Sequence, residues 1–265
     1  MKEHILNQLS DSYPWKAHFH WFDEIDSTNV RIKTMAKEGA PHGTVLLADR
    51  QTGGMGRMGR TFHSPGGVGI YMSILLRPNC APMELMHLTC AAAVAMCDAV
   101  EQSAGFRPGI KWTNDLVSGK RKLGGILTEL GLTPKGMVDY AIIGIGINCR
   151  QNPHDFAPDI RNIAGSLSMV TGTDIDRSRV AAAMMEALHR MSETLLTNKQ
   201  SMLQRYRADC ITVGQDISLV RGDEIRHGHA VDVDESGALV VRFPDGHLEA
   251  VNSGEVSVRG MYGYV

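Results

Sequence analysis

The sequence predicts an α+β protein in two parts. In the larger, residues 1–210, a mixed or antiparallel sheet packs with helices; the smaller, residues 211–265, is all β. Two observations support this division. Before Cys210, apolar residues at helical spacing alternate with apolar runs of strand length. After it, helical periodicity stops and short alternating strands recur between the turns Asp234-Glu235-Ser236-Gly237 and Pro244-Asp245-Gly246.

Residues 27–39 read as a helix: Ile32, Met35 and Ala36 share a face, Asp26 or Ser27 caps it and Gly39 stops it. Residues 44–51 and 68–77 read as strands on either side of a glycine-rich loop. The longest helix runs from Pro82 to Ala104, with Leu85, Leu88, Ala92, Ala95 and Ala99 in register. Ile110 to Trp112 is a short strand, and Asp115 to Val117 and Leu123 to Leu130 form a hairpin about Ser118-Gly119-Lys120-Arg121. Val138 to Asn148 is an apolar strand opened by Gly144 and Gly146, and residues 149–170 are irregular. Helices follow at Ser178 to Leu196 and 199–209. The last part holds strands at Ile217 to Val220, His229 to Val233, Leu239 to Phe243, His247 to Val251 and Val256 to Val258, a small antiparallel barrel. Residues 1–26 receive no element.

Hydrophobic content of 43%, charged content of 21% and a net charge of −2 are ordinary for a globular protein and give no basic face for bulk nucleic acid. No run of 18 apolar residues predicts a membrane span, and Met1 to Asn7 has no secretory h-region, so a cytoplasmic protein is expected. The five cysteines, at 80, 90, 97, 149 and 210, make no Cys-x-x-Cys pair, which argues against a zinc site or disulfide framework. Cys90 and Cys97 read as core. His227 and His229 read as surface, and the fifteen methionines mostly as core filler.

The chemistry concentrates in a few segments. Gln51-Thr52-Gly53-Gly54-Met55-Gly56-Arg57-Met58-Gly59-Arg60 is a mobile basic loop suited to closing over an anion, since glycines allow close backbone approach and arginines offer forked donors. It is neither a P-loop nor a Rossmann fingerprint, because the pattern lacks Gly-Lys-Ser/Thr and a strand follows instead of a helix. Asp26-Ser27-Thr28-Asn29 places small polar groups at a helix start, where capping accounts for one or two of them. Lys111-Trp112-Thr113-Asn114-Asp115 is either a surface turn or a charged wall. Lys122-Leu123-Gly124-Gly125 and Gly144-Ile145-Gly146-Ile147-Asn148 put glycines inside strands, which often marks close ligand approach.

Together, in order and approximate spacing, these segments resemble the biotin protein ligase family over nearly the whole chain. The resemblance implies a class II synthetase-like catalytic domain and an SH3-like C-terminal barrel. It implies a two-step reaction: biotin and ATP give biotinyl-5′-AMP and pyrophosphate, and a lysine of a biotin carboxyl carrier domain of acetyl-CoA carboxylase, or a related carboxylase, then takes the biotin. Lys122, Arg57 and Asp115 are the implied catalytic residues. Ser27, Thr28, Asn29, Gln51, Gly54, Met55, Gly56, Arg57, Lys122, Gly124, Gly125, Gly144 and Gly146 would bind biotin. Arg57, Arg60, Phe62, Lys111, Asn114, Lys122 and Asn148 would bind ATP or the adenylate. Mg²⁺ is implied through the phosphates, with no dedicated protein ligand set.

Met55 stands where the family has its first loop arginine, Thr113 replaces a proline, and Trp15, Trp21 and Trp112 do not match the adenylate-packing tryptophans of some members. Only 26 residues precede Ser27, too few for a helix-turn-helix domain, so a ligase without transcriptional output or nucleic-acid partner is expected, as monomer or homodimer. A lipoate ligase shares the chemistry but needs a longer apolar slot, and a non-catalytic sensor would not keep Lys122, Arg57 and Asp115.

Overall fold

Alternation along the strands of the larger part decides which residues meet. In the computed structural model, which describes residues 1–252 and 257–260, seven strands form one sheet in the order β1-β2-β3-β7-β6-β5-β4. They are β1 (Phe19–Ile25), β2 (Thr44–Gln51), β3 (Gly69–Leu76), β4 (Gly109–Lys111), β5 (Asp115–Ser118), β6 (Arg121–Leu132) and β7 (Val138–Asn148). β1 and β2 run parallel and the other neighbours antiparallel, so the sheet is mixed.

Successive side chains point to opposite faces. Val45, Leu47, Ile70, Met72, Ile74, Ile143, Ile145 and Ile147 join the main core, where α3 (Leu88–Ala104) and α5 (Arg177–Thr194) pack against the sheet and each other. Leu46, Leu75, Tyr140 and Ile142 point the other way and pack on Ile32 and Ala36 of α2 (Thr28–Lys37). α2 covers only part of that face; the remainder holds the site described below. The stretch Pro82–Ala104 is long and apolar enough to cross a membrane, but 72% of that window is buried in the fold, and its apolar residues serve the core.

The first 26 residues do carry structure: α1 (Lys2–Gln8) packs on α5, and β1 forms the sheet edge. Short α4 (Leu167–Thr171) interrupts the segment expected to be irregular, and α6 (Lys199–Asp209) occupies its predicted span. All five cysteines are buried and free. The methionines divide: Met72, Met96, Met184 and Met185 are core, whereas Met55, Met58, Met83, Met86 and Met137 are exposed, so core filling accounts for only some of them.

The C-terminal part is a five-stranded antiparallel sheet, in the order β11-β10-β9-β8-β12. Its strands are β8 (Asp216–Arg221), β9 (Glu224–Val233), β10 (Leu239–Arg242), β11 (Leu248–Val251) and β12 (Ser257–Gly260), matching an SH3-like architecture. Val256, expected in the last strand, lies outside the described residues. This sheet is anchored to the larger part: Trp112 Nε1 donates to Gly237 O at 2.9 Å, and Arg207 Nε donates to Val233 O at 2.7 Å.

Candidate active site

Two rows of residues cross the partly covered face of the large sheet. Ser73, Gly144 and Leu127 lie opposite one another in one row; Tyr71, Gly146, Gly125 and Asp115 form the next. Three glycines in two rows omit the side chains that would fill the space above, and a cavity of about 180 Å³ opens there. The omissions are required. A Cβ on Gly144 would overlap the Asn29 carboxamide, and one on Gly146 would overlap the Phe62 ring. A Cβ on Gly125 would meet Lys122 Nζ at 3.2 Å, so Gly125 gives the ammonium room to lie across the strand.

Lys122 Nζ donates to Asp115 Oδ1 at 2.6 Å, with the two side chains 30% and 16% exposed. The lysine backbone is clamped beyond the end of β7, where its N–H donates to Ile163 O at 2.7 Å and its carbonyl accepts from Gly165 N at 2.8 Å. A cation is thus held at one end of the cavity on a rigid strand.

The glycine-rich loop, expected to be mobile, is a hairpin folded over the cavity. Gln51 N donates to Ser64 O at 3.1 Å, Phe62 N to Gly54 O at 2.9 Å and Gly56 N to Arg60 O at 2.7 Å. Its tip is a 3₁₀ turn, Arg57–Gly59, with Met58 in the left-handed region at φ 55°. Arg57 Nη1 donates to Asn114 Oδ1 at 2.7 Å, and Asn114 Nδ2 donates to Ile126 O at 3.0 Å, so the Asn114 amide ties the tip to the sheet. Burial pulls the Arg57 guanidinium below its ordinary pKa, opposed by the charge of Asp115; the group remains a cation at neutral pH because an arginine starts so high.

The opposite end is neutral and polar. Gln51 Oε1 accepts from Thr28 N at 2.8 Å and Thr28 Oγ1 at 3.0 Å, which caps the first amide of α2 with a side chain from β2. Gln51 Nε2 donates to Ser64 Oγ at 3.0 Å. Ser73 Oγ lies 2.7 Å from Thr28 Oγ1 and 2.6 Å from Asn29 Oδ1. Ser27, expected as a cap, makes no side-chain capping bond.

Most of the expected residues meet here. Ser27, Thr28, Asn29, Gln51, Met55, Gly56, Arg57, Arg60, Phe62, Lys111, Asn114, Asp115, Lys122, Gly125, Gly144 and Gly146 line the cavity. Gly54, Gly124 and Asn148 do not. Gly54 sits where the hairpin strands cross, a Cβ there overlapping Phe62 O. Gly124 pairs with Ile147 and faces the opposite side of the sheet, one residue out of phase with Gly125. Asn148 Nδ2 donates to Gly165 O at 2.9 Å and its Oδ1 accepts from Gln151, so it braces the segment behind Lys122. Further residues lie at the site beyond those expected, among them Thr61, Ile145, Leu127, Val258 and, in the row beneath, Ser73. Ser73 is the one serine in an otherwise apolar strand apart from Tyr71 and is fully buried, which is a readable signal. Leu127 closes the lysine-glycine segment and lies in the glycine row, and Val258 reaches the cavity from the small sheet; nothing in the local sequence marks Val258.

Asp115 is the single carboxylate among the described lining residues, and no cluster of three metal-ligating side chains occurs among the described residues. That donor set fits a Mg²⁺ carried on phosphates and waters, with no dedicated set of protein ligands.

A mixed sheet with a cavity on its free face, cationic at one end and neutral-polar at the other, defines a fold and site type that known proteins share. The Biotin/lipoate A/B protein ligase family model matches residues 21–148, and the Biotin protein ligase C terminal domain model matches residues 212–259. The chain is 32% identical over 242 residues to the bifunctional ligase/repressor BirA of Bacillus subtilis, covering 91% of this chain and 74% of that one. It is 31% identical to the biotin–[acetyl-CoA-carboxylase] ligase of Mycobacterium tuberculosis, covering 87% and 85%. Among solved structures, the Aquifex aeolicus biotin protein ligase in complex with biotin and ATP aligns with a TM-score of 0.78 at 29% identity, covering 92% and 99%. The chain belongs to the biotin/lipoate protein ligase family.

Proposed function

We propose that this protein activates biotin with ATP to biotinyl-5′-AMP and transfers the biotin to a lysine of a biotin carboxyl carrier domain, as found in acetyl-CoA carboxylase. The observation that supports this most directly is the placement of Lys122 and Arg57 about one cavity whose other end is lined by Thr28, Asn29 and Gln51. A ureido ring needs neutral donors and acceptors, whereas a carboxylate meeting a phosphate needs cations, and the two needs are met at opposite ends.

In the first step a biotin carboxylate oxygen attacks the α-phosphorus, a P–O bond forms, and the bond to pyrophosphate breaks. Negative charge builds on the phosphoryl oxygens, and Lys122 is positioned to stabilise it, with Arg57 and Arg60 adding charge from the hairpin. In the second step the carrier lysine amine attacks the biotinyl carbonyl carbon, loses a proton and expels AMP. Asp115, the lining carboxylate, orients Lys122 in the first step and the incoming amine in the second. The hairpin shields the mixed anhydride from water between the steps. Mg²⁺, when bound, neutralises the pyrophosphate leaving group. We place the division between catalytic and C-terminal domains at residue 211, just before β8.

The test is pyrophosphate release with biotin and ATP, each omitted in turn, followed by transfer of labelled biotin to a purified carrier domain. Release that requires both substrates, and label on one carrier lysine, is the expected result. Release supported by lipoate and not by biotin would overturn the substrate assignment.

A further inference from the structure

The glycine-rich hairpin has a second attachment to the sheet, away from the Arg57 tip, that the reaction above does not use. Tyr71, on β3, is fully buried, and its hydroxyl donates to Pro65 O at 2.9 Å. Pro65 follows Ser64, whose carbonyl accepts from Gln51 N at the base of the hairpin. Burial pushes the Tyr71 hydroxyl above its ordinary pKa, so it stays a donor throughout the working range. Gly69 lies two residues back on the same face, and a Cβ there would overlap the phenol. The phenol therefore lies along its own strand, toward the foot of the hairpin.

The same ring meets the hairpin a second time. Tyr71 and Phe62 pack edge to face, with centroids 6.3 Å apart and planes at 69°. Phe62 lines the cavity and fills the gap above Gly146, the residue paired with Tyr71 across the sheet. Its ring thus has Gly146 beneath it and Tyr71 beside it. Phe62 N donates to Gly54 O and Phe62 O accepts from Ser64 Oγ at 2.9 Å, so the ring leaves this seat only if the hairpin strand moves with it. The foot is also held independently of Tyr71. Asp49 Oδ2 accepts from Gly67 N at 3.0 Å, and Arg177 Nη2 donates to Asp49 Oδ1 at 2.6 Å. Losing the Tyr71 hydroxyl therefore loosens the hairpin without unfolding its base.

We infer that Tyr71 is a positioning residue that seats Phe62 on Gly146 and so holds the hairpin closed over the adenylate between the two steps. The inference rests on biotinyl-5′-AMP being the intermediate. Adenylation runs in the closed state, which stays the major one when a single hydrogen bond is lost. Release of the adenylate runs through the rare open state, and its rate follows the population of that state.

The experiment measures two rates in the full chain, for wild type and Tyr71→Phe. One is the pyrophosphate burst on mixing with biotin, ATP and Mg²⁺. The other is release of labelled biotinyl-5′-AMP from preloaded protein into an excess of the unlabelled adenylate. Tyr71→Phe is expected to release the adenylate about five- to tenfold faster, the scale of one lost buried hydrogen bond, while the burst rate stays within about twofold. A merely structural role would move both rates together. In Phe62→Leu, which empties the seat, release should already be faster, and adding Tyr71→Phe should change it by less than about twofold. Equal release from wild type and Tyr71→Phe, a burst slowed as much as release is quickened, or the same fold increase in the Phe62→Leu background would each overturn the inference. Wild-type protein that forms no adenylate would instead refute the ligase reading on which it rests.

Discussion

Gly144→Ala isolates the geometry of the neutral end. Gly144 has an ordinary strand conformation and is absent from the positive-φ glycines, so alanine costs nothing in backbone strain. It should even favour the strand by about 0.5–1 kcal/mol, since glycine loses more conformational freedom on folding. Against that, the new methyl overlaps the Asn29 carboxamide, which is held by Ser73 on one side and Glu129 on the other. Displacing it breaks one neutral and one charge-assisted hydrogen bond, together about 3 kcal/mol. The steric term wins by about 2–2.5 kcal/mol, and the melting temperature is expected to fall by about 4–10 °C. The biotin KM should rise with it, because Thr28 and Asn29 move together. Calorimetric melting and pyrophosphate-release kinetics read the two effects. A Gly144→Ala protein with wild-type melting temperature and biotin KM would refute the placement of Asn29 against the strand.

Lys122→Ala should lower adenylation at least about a hundredfold, the scale for removing a charge that stabilises developing anionic oxygens. Its melting temperature should barely move, because a partly exposed ion pair contributes about 0–1 kcal/mol; a stopped assay with intact melting separates the two. Asn114→Ala removes the Arg57–Asn114 bond at the hairpin tip and should weaken retention of the adenylate by about 10- to 100-fold, read from its dissociation rate. Burial pushes the Cys90 and Cys149 thiols up to about 12, and those of Cys80, Cys97 and Cys210 also upward. Iodoacetamide at pH 8 should therefore label none in the native protein and all five after denaturation. These thiols stay neutral in the fold while the unfolded chain ionises them near its ordinary thiol pKa of about 8.5. Their contribution to stability is therefore full below about pH 8.5 and is lost as pH rises toward 12, which melting curves between pH 7 and 10 will show.

Much of this was legible in the residues, for identifiable reasons. β2, β7 and α6 occupy their predicted spans because long periodic patterns between glycines and turns leave little freedom. β1 was not legible: Phe19–Ile25 is an edge strand whose burial pattern does not alternate, and its pairing with β2 is parallel and non-local. The site segments announced themselves through glycines inside strands, yet composition could not say which glycine faces the cavity. That depends on register, and a one-residue phase difference sends Gly124 to the core side and Gly125 to the site. The loop reads as mobile from its glycines, but its hairpin bonds and the Arg57–Asn114 tether are tertiary facts. Val258 enters the cavity only because the small sheet docks through Trp112 and Arg207.

The most direct test of the central claim is calorimetric titration of biotin with and without ATP and Mg²⁺, followed by mass spectrometry of the species released from the protein. The account predicts biotinyl-5′-AMP when all three are present, and its absence in Lys122→Ala. Biotin that binds but never appears as an adenylate, or an equal adenylate yield from Lys122→Ala, would contradict it.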